Sequence, residues 1–333
     1  MEKLYIFNPE TDLALAANTL FYTPPINIKR LKECYALLPA LYATPGSFII
    51  IPDNFNINDS PQNLVELVNV KRLNLINYSN LKDRSFEVNV WGWNKSIRNQ
   101  LLKFGINKDC LPTEIYLEKL REISHRRTTI EIQQRLRHVI LDYDIDLPIE
   151  FFDENEAFLW ASENIGAYMK APWSSSGRGI YQAIEPYNKS MQQWIHGIVD
   201  KQGSIIGEIG LKRDLDFATE WYVENGKASF LGFSIFDVAN HGLYKGNYLA
   251  SNNDLRDIII SKSNRWTDKY LLILEGIINE VISPFYNGPI GIDMLISDTQ
   301  RINLCVEVNL RMTMGHVAIE IWNQNKKKGF MSI

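Results

Sequence analysis

The spacing of apolar and polar residues in the first third of the chain predicts strands and helices in alternation. Short apolar runs rich in β-branched and aromatic residues are typical of strands, and apolar residues three and four positions apart are typical of helices. The predicted strands are residues 3–7, 48–51, 73–76 and 87–90, and the predicted helices are residues 29–42 and 94–104. We therefore expect a small α/β layer that opens with a βαβ unit.

The pattern changes in the middle of the chain, where short strands follow a group of helices. The predicted helices are residues 114–123, 128–141 and 153–163, and the predicted strands are residues 167–170, 179–183 and 204–208. Strands so close together in sequence favour an antiparallel layer. We place the boundary at residue 124, which gives two domains, residues 1–124 and residues 125–333.

The last part of the chain predicts longer strands and a clear amphipathic helix. Strands are predicted at residues 217–223, 229–236, 289–296 and 301–310, and helices at residues 268–281 and after Gly315. The first two of these strands are joined through Asn225-Gly226, which is a strong signal for a tight turn. Residues 237–253, with His241, Tyr244 and Lys245, predict a long loop whose composition suits a cover for a substrate.

Composition and charge exclude several classes of function. The formal charge of −4 is spread without a basic stripe, so nucleic acid is not an expected partner. No apolar run is long enough to span a bilayer, and the start lacks the apolar core of a signal peptide, so we expect a cytoplasmic protein without a membrane partner. The three cysteines and five histidines are scattered, which argues against a disulfide framework and structural zinc.

A lysine followed by serines and glycines indicates a loop that could bind phosphate groups. Lys170 ends a predicted strand, and the loop after it contains Ser174, Ser175, Ser176, Gly177, Arg178 and Gly179. Glycines let backbone N–H groups approach anionic oxygens, hydroxyls add donors, and the lysine adds a positive charge. The order differs from a Walker A loop, in which the lysine follows the glycines, and from the Rossmann pattern. Taken alone, such a segment is more often a solvated turn.

The strand at residues 301–310 alternates strictly between two sets of side chains. One set is Ile302, Leu304, Val306, Val308 and Leu310, and the other is Asn303, Cys305, Glu307, Asn309 and Arg311. The second set shares one face because side chains alternate along a strand. Glu307 and Asn309 offer the oxygen ligands that magnesium prefers, and Asp293, charged in mid-strand between apolar neighbours, is a third candidate. The alternative is a wetted sheet face without a metal.

In their order along the chain these segments resemble the ATP-grasp superfamily, over roughly residues 125–320. In that family a lysine strand and a glycine-rich loop cover the phosphates of ATP, a hinge holds the adenine, and later strands bind magnesium. The resemblance implies an ATP-grasp fold of the α/β (α+β) class after an N-terminal pre-ATP-grasp α/β domain. It also implies a nucleotide-covering subdomain at about residues 150–210 and a metal-binding subdomain at about residues 211–320.

The resemblance implies a role for each matching residue. Lys170 and Arg311 would be the catalytic cations, and Asp293, Glu307 and Asn309 would bind Mg²⁺ or Mn²⁺. The nucleotide contacts would again include Lys170, together with Ser174, Ser175, Ser176, Gly177, Arg178 and Gly179 in the loop, Glu208 and Leu211 at the hinge, and Glu220 on the next strand. A solvated strand position is the alternative for Glu220, and a surface charge is the alternative for Arg311.

One position departs from the family pattern. Relatives usually have a lysine near the start of the helix that enters the domain, whereas this chain has Arg126, Arg127 and Arg135 there. Arginine is able to make the same phosphate contact, and the choice among the three stays open.

These features predict an ATP- and magnesium-dependent ligase that joins a carboxylate to an amine through an acyl phosphate. The alternatives are an ATP-grasp kinase acting on a hydroxyl group and a nucleotide-binding protein without catalysis. The expected partners are small-molecule or peptide carboxylate and amine substrates, and the expected cofactors are ATP and Mg²⁺. Asn8, Glu10 and Asp12 follow the first strand, where α/β sheets bind ligands, although an ordinary polar turn also explains them.

Overall fold

The computed structural model describes residues 1–82, 84–174, 179–238 and 244–332. The chain divides into two compact units, Met1–Arg121 (unit 1) and Glu122–Ile333 (unit 2). No helix in these described ranges is both long enough and apolar enough to cross a bilayer.

Unit 1 is built on a parallel sheet with the strand order β3-β2-β1-β4. Its elements are β1 (Glu2–Ile6), α1 (Thr11–Ala17), α2 (Ile26–Cys34), β2 (Phe48–Ile51), α3 (Gln62–Val70), β3 (Asn74–Asn77), β4 (Phe86–Val90), α4 (Lys95–Lys103) and α5 (Glu114–Ile123), the last of which runs into unit 2. The predicted βαβ unit is confirmed, with β1 and β2 paired side by side. Asn94 caps α4, since its side chain accepts a hydrogen bond from the Ile97 amide.

The core of unit 1 forms where helices cover the apolar side chains of the sheet. Leu4 and Ile6 of β1, Ile50 of β2, Ile76 of β3 and Phe86 of β4 are buried in one cluster. Because all four strands are parallel, their carboxyl ends lie along one edge, to which the loops bring polar side chains.

Unit 2 begins with helices around an antiparallel sheet of strand order β5-β8-β6-β7. The elements are α6 (Arg127–Val139), β5 (Ile149–Phe151), α7 (Glu154–Glu163), β6 (Tyr168–Lys170), β7 (Ile180–Gln182), α8 (Lys189–Gln202) and β8 (Ile205–Glu208). Helices α7 and α8 pack together over this sheet around Ala161, Met169, Met191 and Ile195, all fully buried. The antiparallel layer expected from closely spaced strands is confirmed.

A second sheet of unit 2 has the strand order β13-β12-β9-β10-β11-β14. Its elements and flanking helices are β9 (Arg213–Glu224), β10 (Lys227–Val238), β11 (Tyr244–Leu249), α9 (Asn252–Lys262), α10 (Lys269–Val281), β12 (Gly288–Ser297), β13 (Ile302–Asn309), α11 (Met314–Asn325) and β14 (Gly329–Ser332). Asn225 and Gly226 both have positive φ angles, 52° and 76°, so the predicted Asn-Gly turn joins β9 to β10.

The predicted loop at residues 237–253 is wrong for much of its length. Tyr244 and Lys245 begin β11, which pairs with β10 and β14, and Ser251 caps α9. The strand escaped the sequence pattern because a polar residue of it, Asn247, is buried and bonded to the Ile235 carbonyl. His241 lies outside the described residues.

Candidate functional site

Lys170 ends strand β6 and lies in a buried ion pair. Its Nζ is 2.5 Å from Oε2 of Glu208 at the end of β8, and only 6% of the lysine surface is exposed. Antiparallel pairing sets the two residues diagonally across neighbouring strands, with Lys170 opposite Ile206. An ammonium group has three N–H donors, so the contact with Glu208 leaves donors available for phosphate oxygens.

The loop after Lys170 is closed at its base. The Ala171 amide donates a hydrogen bond to the Gly179 carbonyl at 2.8 Å. Gly179 has φ of +73°, and a Cβ there would lie 2.7 Å from Cβ of buried Ser174, so glycine is needed at this position. Ser175, Ser176, Gly177 and Arg178, which the sequence also assigns to phosphate contacts, lie outside the described residues.

Arg126 joins the base of the loop to the carboxylate strand. Its Nε donates to the Ala171 carbonyl at 2.9 Å, and its Nη2 is 3.1 Å from Ser174 Oγ and 2.9 Å from Glu307 Oε1. The residue is 6% exposed, so the guanidinium is held in one position between the two sheets of unit 2. Arginine suits this place because its planar group offers several donors in fixed directions.

The other two arginines left open by the sequence are engaged elsewhere. Arg127 pairs with Glu150 at 2.7 Å and is half exposed. Arg135 pairs with Glu131 and with Glu280, and its side chain is 40% exposed. The place of Arg126, at the base of the loop and directly before α6, favours it among the three arginines for the phosphate contact. Nothing in the sequence distinguished it from its neighbours.

Asp293, Glu307, Asn309 and Arg311 form one connected group. Asp293 of β12 lies directly opposite Glu307 of β13. Asn309 Nδ2 donates to Asp293 Oδ2 at 3.2 Å, and Arg311 Nη2 donates to Asn309 Oδ1 at 2.9 Å. The structure thus brings together three predicted metal ligands and the predicted cation, and Arg311 is partly buried rather than a free surface charge.

The face that carries these residues is not an open wetted surface. Asn303 and Cys305 on the same strand are buried, with 2% and 0% of their surfaces exposed. Gln133 of α6 donates to the Cys305 carbonyl at 2.6 Å, because α6 packs along β13. The alternative of a solvated sheet face is therefore wrong at Asn303 and Cys305, whereas Glu307 is partly exposed.

The neighbouring carboxylates change the protonation of Asp293. The pKa of Asp293 is raised to about 8, first by burial and then by the negative charges of Glu307 and Glu220. Arg311 and the hydrogen bond from Asn309 act in the opposite direction. Carboxylate and amide oxygens that lie together in this way are ligands that a divalent cation such as Mg²⁺ prefers, and its charge would favour the ionised form of Asp293.

The sequence matches no protein-family model and no curated protein. Among solved structures, biotin carboxylase from Campylobacter jejuni in complex with beta-gamma-ATP is 11% identical, with 96% of this chain and 68% of that chain covered and a TM-score of 0.51. The likeness at this identity is one of fold, and it extends over almost the whole chain. The chain has the ATP-grasp fold. The predicted fold class is therefore confirmed.

Two further ATP-grasp structures are similar at lower TM-scores. N5-carboxyaminoimidazole synthetase from Staphylococcus aureus, complexed with ADP, is 11% identical, with 96% of this chain and 73% of that chain covered and a TM-score of 0.48. The biotin carboxylase domain of 2-oxoglutarate carboxylase from Hydrogenobacter thermophilus is 13% identical, with 61% of this chain covered and a TM-score of 0.41. This chain spans 46% of the length of the latter.

Glu220 is buried, so a solvated position is wrong for it. It is 1% exposed. Ser234 Oγ donates to its Oε1 at 2.9 Å, Thr313 Oγ1 donates to its Oε2 at 2.9 Å, and His316 Nδ1 lies 3.0 Å from Oε2. Its predicted contact with the nucleotide, like that of partly exposed Leu211 beyond β8, stays a prediction.

Sequence reasoning missed the residues that hold Glu220. Thr313 and His316 form a reciprocal cap at the start of α11, the arrangement in which a first-turn side chain reaches back to the capping residue. The usual signal for such a cap is a glutamate or glutamine three residues after the threonine, and here a histidine stands in that place. Gly315 between them allows the close approach, since a Cβ there would lie 1.8 Å from Glu220 Oε1.

Proposed function

We propose that this chain is an ATP- and magnesium-dependent ligase that joins a carboxylate to an amine, with unit 1 as its pre-ATP-grasp domain. The observation that carries the proposal is the bridge that Arg126 makes between Ser174, at the base of the loop, and Glu307, in the carboxylate group. The bridge connects the predicted phosphate-binding loop to the predicted metal-binding strand, in a fold that is shared with a biotin carboxylase in complex with beta-gamma-ATP.

The cations of unit 2 would act on the phosphate chain of ATP. Lys170 ends β6 and Arg126 directly precedes α6, both next to the loop, and Arg311 lies beside Asn309 at the end of β13. Phosphoryl transfer depends mainly on positioning and on positive charge around the transferring group, and fixed cations supply both. Their own hydrogen bonds hold Arg126 and Arg311 in place before the nucleotide arrives.

Asp293, Glu307 and Asn309 would hold magnesium. In the described part of the chain, no three His, Cys, Asp or Glu side chains converge as a complete metal site. Two carboxylates and one amide fit Mg²⁺ nonetheless, because this ion usually takes one or two protein carboxylates together with waters and substrate phosphates. When bound, the ion would neutralise charge on the phosphates.

The reaction would proceed in two steps that need no protein nucleophile. An oxygen of the substrate carboxylate attacks the γ-phosphorus. The bond between the γ-phosphorus and the oxygen that bridges it to the β-phosphorus breaks, and ADP is released. The amine then attacks the carbonyl carbon of the acyl phosphate, loses a proton, and inorganic phosphate leaves. The residues of unit 2 would orient the carboxylate and stabilise charge in the first step.

The alternatives are separated by an assay of ADP release. A kinase acting on a hydroxyl compound would use the same cations and carboxylates, and a binding protein would use them without turnover. ADP release that needs both a carboxylate and an amine supports the ligase, and release with a hydroxyl compound alone supports the kinase. ATP binding without release in any combination supports the binding protein.

Arg126→Met is expected to weaken ATP binding by about tenfold or more, roughly 1.4 kcal/mol, because a charged donor to the phosphate region is lost. The same change removes a positive charge 2.9 Å from Glu307, so Mn²⁺ should bind the nucleotide-free protein as tightly as before or more tightly. Calorimetric titration with ATP and paramagnetic resonance titration with Mn²⁺ measure the two effects.

The matched control for that experiment is Arg127→Met. Arg127 is half exposed and pairs with Glu150, so both affinities should stay within about twofold of the wild-type values. Arg126→Lys keeps the charge and should recover part of the ATP affinity. Equal loss of ATP and Mn²⁺ binding in Arg126→Met would instead indicate a purely structural role.

Metal affinity is expected to rise with pH up to about 8. In the metal-free protein the raised pKa leaves Asp293 protonated below that value, and a metal ligand must be ionised. Between pH 6 and 8, Mn²⁺ affinity measured with ADP present should therefore increase by up to tenfold per pH unit, and level off above. Asp293→Asn should bind Mn²⁺ more weakly and without this slope, and a flat wild-type profile would exclude Asp293 as a ligand.

A further inference from the structure

The carboxyl edge of the parallel sheet in unit 1 carries a second cluster of polar groups. Glu10 follows β1, Asp53 follows β2 and Tyr78 follows β3. Lys32 of α2 reaches this cluster, with Nζ 2.6 Å from Oε1 of Glu10. The ends of parallel strands are where such sheets bind ligands.

Two polar atoms in this cluster are buried without a hydrogen-bond partner among the described residues. They are Oε2 of Glu10 and the hydroxyl oxygen of Tyr78, and each residue is only 8% exposed. A buried polar group without a partner destabilises the fold, so native proteins rarely keep one without a use. Two such atoms, on residues that follow parallel strands of one sheet, point to a bound group that would supply their missing partners.

The loops around the cluster are held by other side chains. Asn8 donates to the Gly92 carbonyl at 2.7 Å and accepts from the Gly92 amide, which ties the loop after β1 to the loop after β4. Asn94 donates to Thr11 at 3.1 Å. An ordinary polar turn therefore accounts for Asn8, and Asp12 lies in the first turn of α1, whereas neither explanation covers the free oxygen of Glu10.

The negative charge of the cluster favours a ligand group that donates hydrogen bonds over an anionic one. Glu10 can only accept hydrogen bonds when ionised, and Lys32 engages its other oxygen. Burial raises the pKa of the Tyr78 hydroxyl, and the negative charges of Glu10 and Asp53 raise it further, so this group stays neutral and can accept a hydrogen bond. With one lysine against two carboxylates, a positively charged group with several N–H donors complements the site.

We propose that unit 1 binds the primary ammonium group of a substrate between Glu10 Oε2 and the Tyr78 hydroxyl. That the molecule bearing this ammonium group is a substrate rests on the proposed ligase function. An ammonium held against a carboxylate keeps its proton and is not a nucleophile, so it serves as a binding handle separate from the reacting group. The substrate class is thus an amino acid or a peptide with a free amino group.

The test uses glycinamide, which carries an ammonium, against acetamide and acetate, which do not. Protein with tyrosine labelled at the ring carbon that bears the hydroxyl is titrated and followed by NMR, and the Tyr78 signal is assigned by its loss in Tyr78→Phe. We expect the Tyr78 signal to move saturably with glycinamide alone. In Glu10→Gln the same movement should need at least tenfold more glycinamide. Movement with acetate, or an unchanged response in Glu10→Gln, would overturn the proposal.

Two controls separate binding from folding. Glu33→Gln removes a carboxylate that adjoins Lys32 in the sequence. Glu33 Oε1 lies 4.0 Å from Lys29 Nζ, and the substitution should leave the glycinamide response unchanged. Tyr78→Phe removes an unpartnered buried hydroxyl, so its thermal midpoint should equal or exceed that of the wild type. A midpoint several degrees lower would show that the hydroxyl serves the fold and would contradict its role in binding.

MgATP binding is measured on the same samples. ATP binding without a glycinamide response would reject the ammonium site and leave the proposed ligase function standing. A glycinamide response without ATP binding would reject the proposed function and retain an ammonium site in unit 1.

Discussion

Replacing Glu307 by alanine is expected to lower magnesium-dependent ADP formation on the order of a thousandfold, about 4 kcal/mol in the barrier. Glu307 lies opposite Asp293 and 2.9 Å from Arg126, so its loss removes a metal ligand and leaves a buried guanidinium without its carboxylate. The magnesium-dependent part of ATP affinity should fall with it. Steady-state ADP release and calorimetric titration of ATP with and without Mg²⁺ measure both quantities.

The control is Glu224→Ala, which removes an exposed carboxylate at the end of β9 in the same sheet and should leave both quantities unchanged. Asn309→Ala should cause a smaller loss than Glu307→Ala, because Asn309 is an uncharged ligand. Its loss also removes a hydrogen bond to Asp293. Magnesium-dependent binding and turnover at wild-type levels in both variants would show that the metal lies elsewhere.

The sheets of the molecule were predictable from the sequence where the signal is local. The alternation from Ile302 to Arg311 placed Glu307 and Asn309 on one face, and this periodicity depends only on strand geometry. The Asn225-Gly226 turn was predictable for the same reason, since it requires positive φ angles at two adjacent residues. Ordered local signals of this kind were sufficient for the fold class.

The partners of the site residues were not predictable, because they come from distant parts of the chain. Arg126 meets Glu307 across 181 positions, and nothing in its neighbourhood distinguishes it from Arg127. The burial of Glu220 depends on Thr313 and His316, more than 90 positions away. A strand position beside polar residues is compatible with solvent or with a buried network, and only tertiary packing decides between them.

Gly315→Ala is expected to destabilise unit 2 by about 3 kcal/mol, which corresponds to a thermal midpoint lower by roughly 6–12 °C. The added Cβ would lie 1.8 Å from Glu220 Oε1 and 2.5 Å from Ser234 Oγ. Hydrogen bonds from Ser234 and Thr313 hold the carboxylate in place. To relieve the overlap, the buried Glu220 carboxylate must give up hydrogen bonds, and this adds to the free-energy cost of overpacking. Thermal and urea unfolding measure the change.

Gly276→Ala is the matched control, since it makes the same substitution inside a helix of the same unit. A Cβ at Gly276, in the middle of α10, would meet nothing within 4 Å, so this variant should gain about 0.5–1 kcal/mol of stability from the better helix propensity of alanine. In a Glu220→Ala background the space beside Gly315 opens and the Ser234 hydroxyl loses the hydrogen bond that holds it, so Gly315→Ala should then cost less than in the wild type, since neighbouring substitutions are coupled. A Gly315→Ala protein that unfolds at the wild-type midpoint would contradict the close packing of α11 against Glu220.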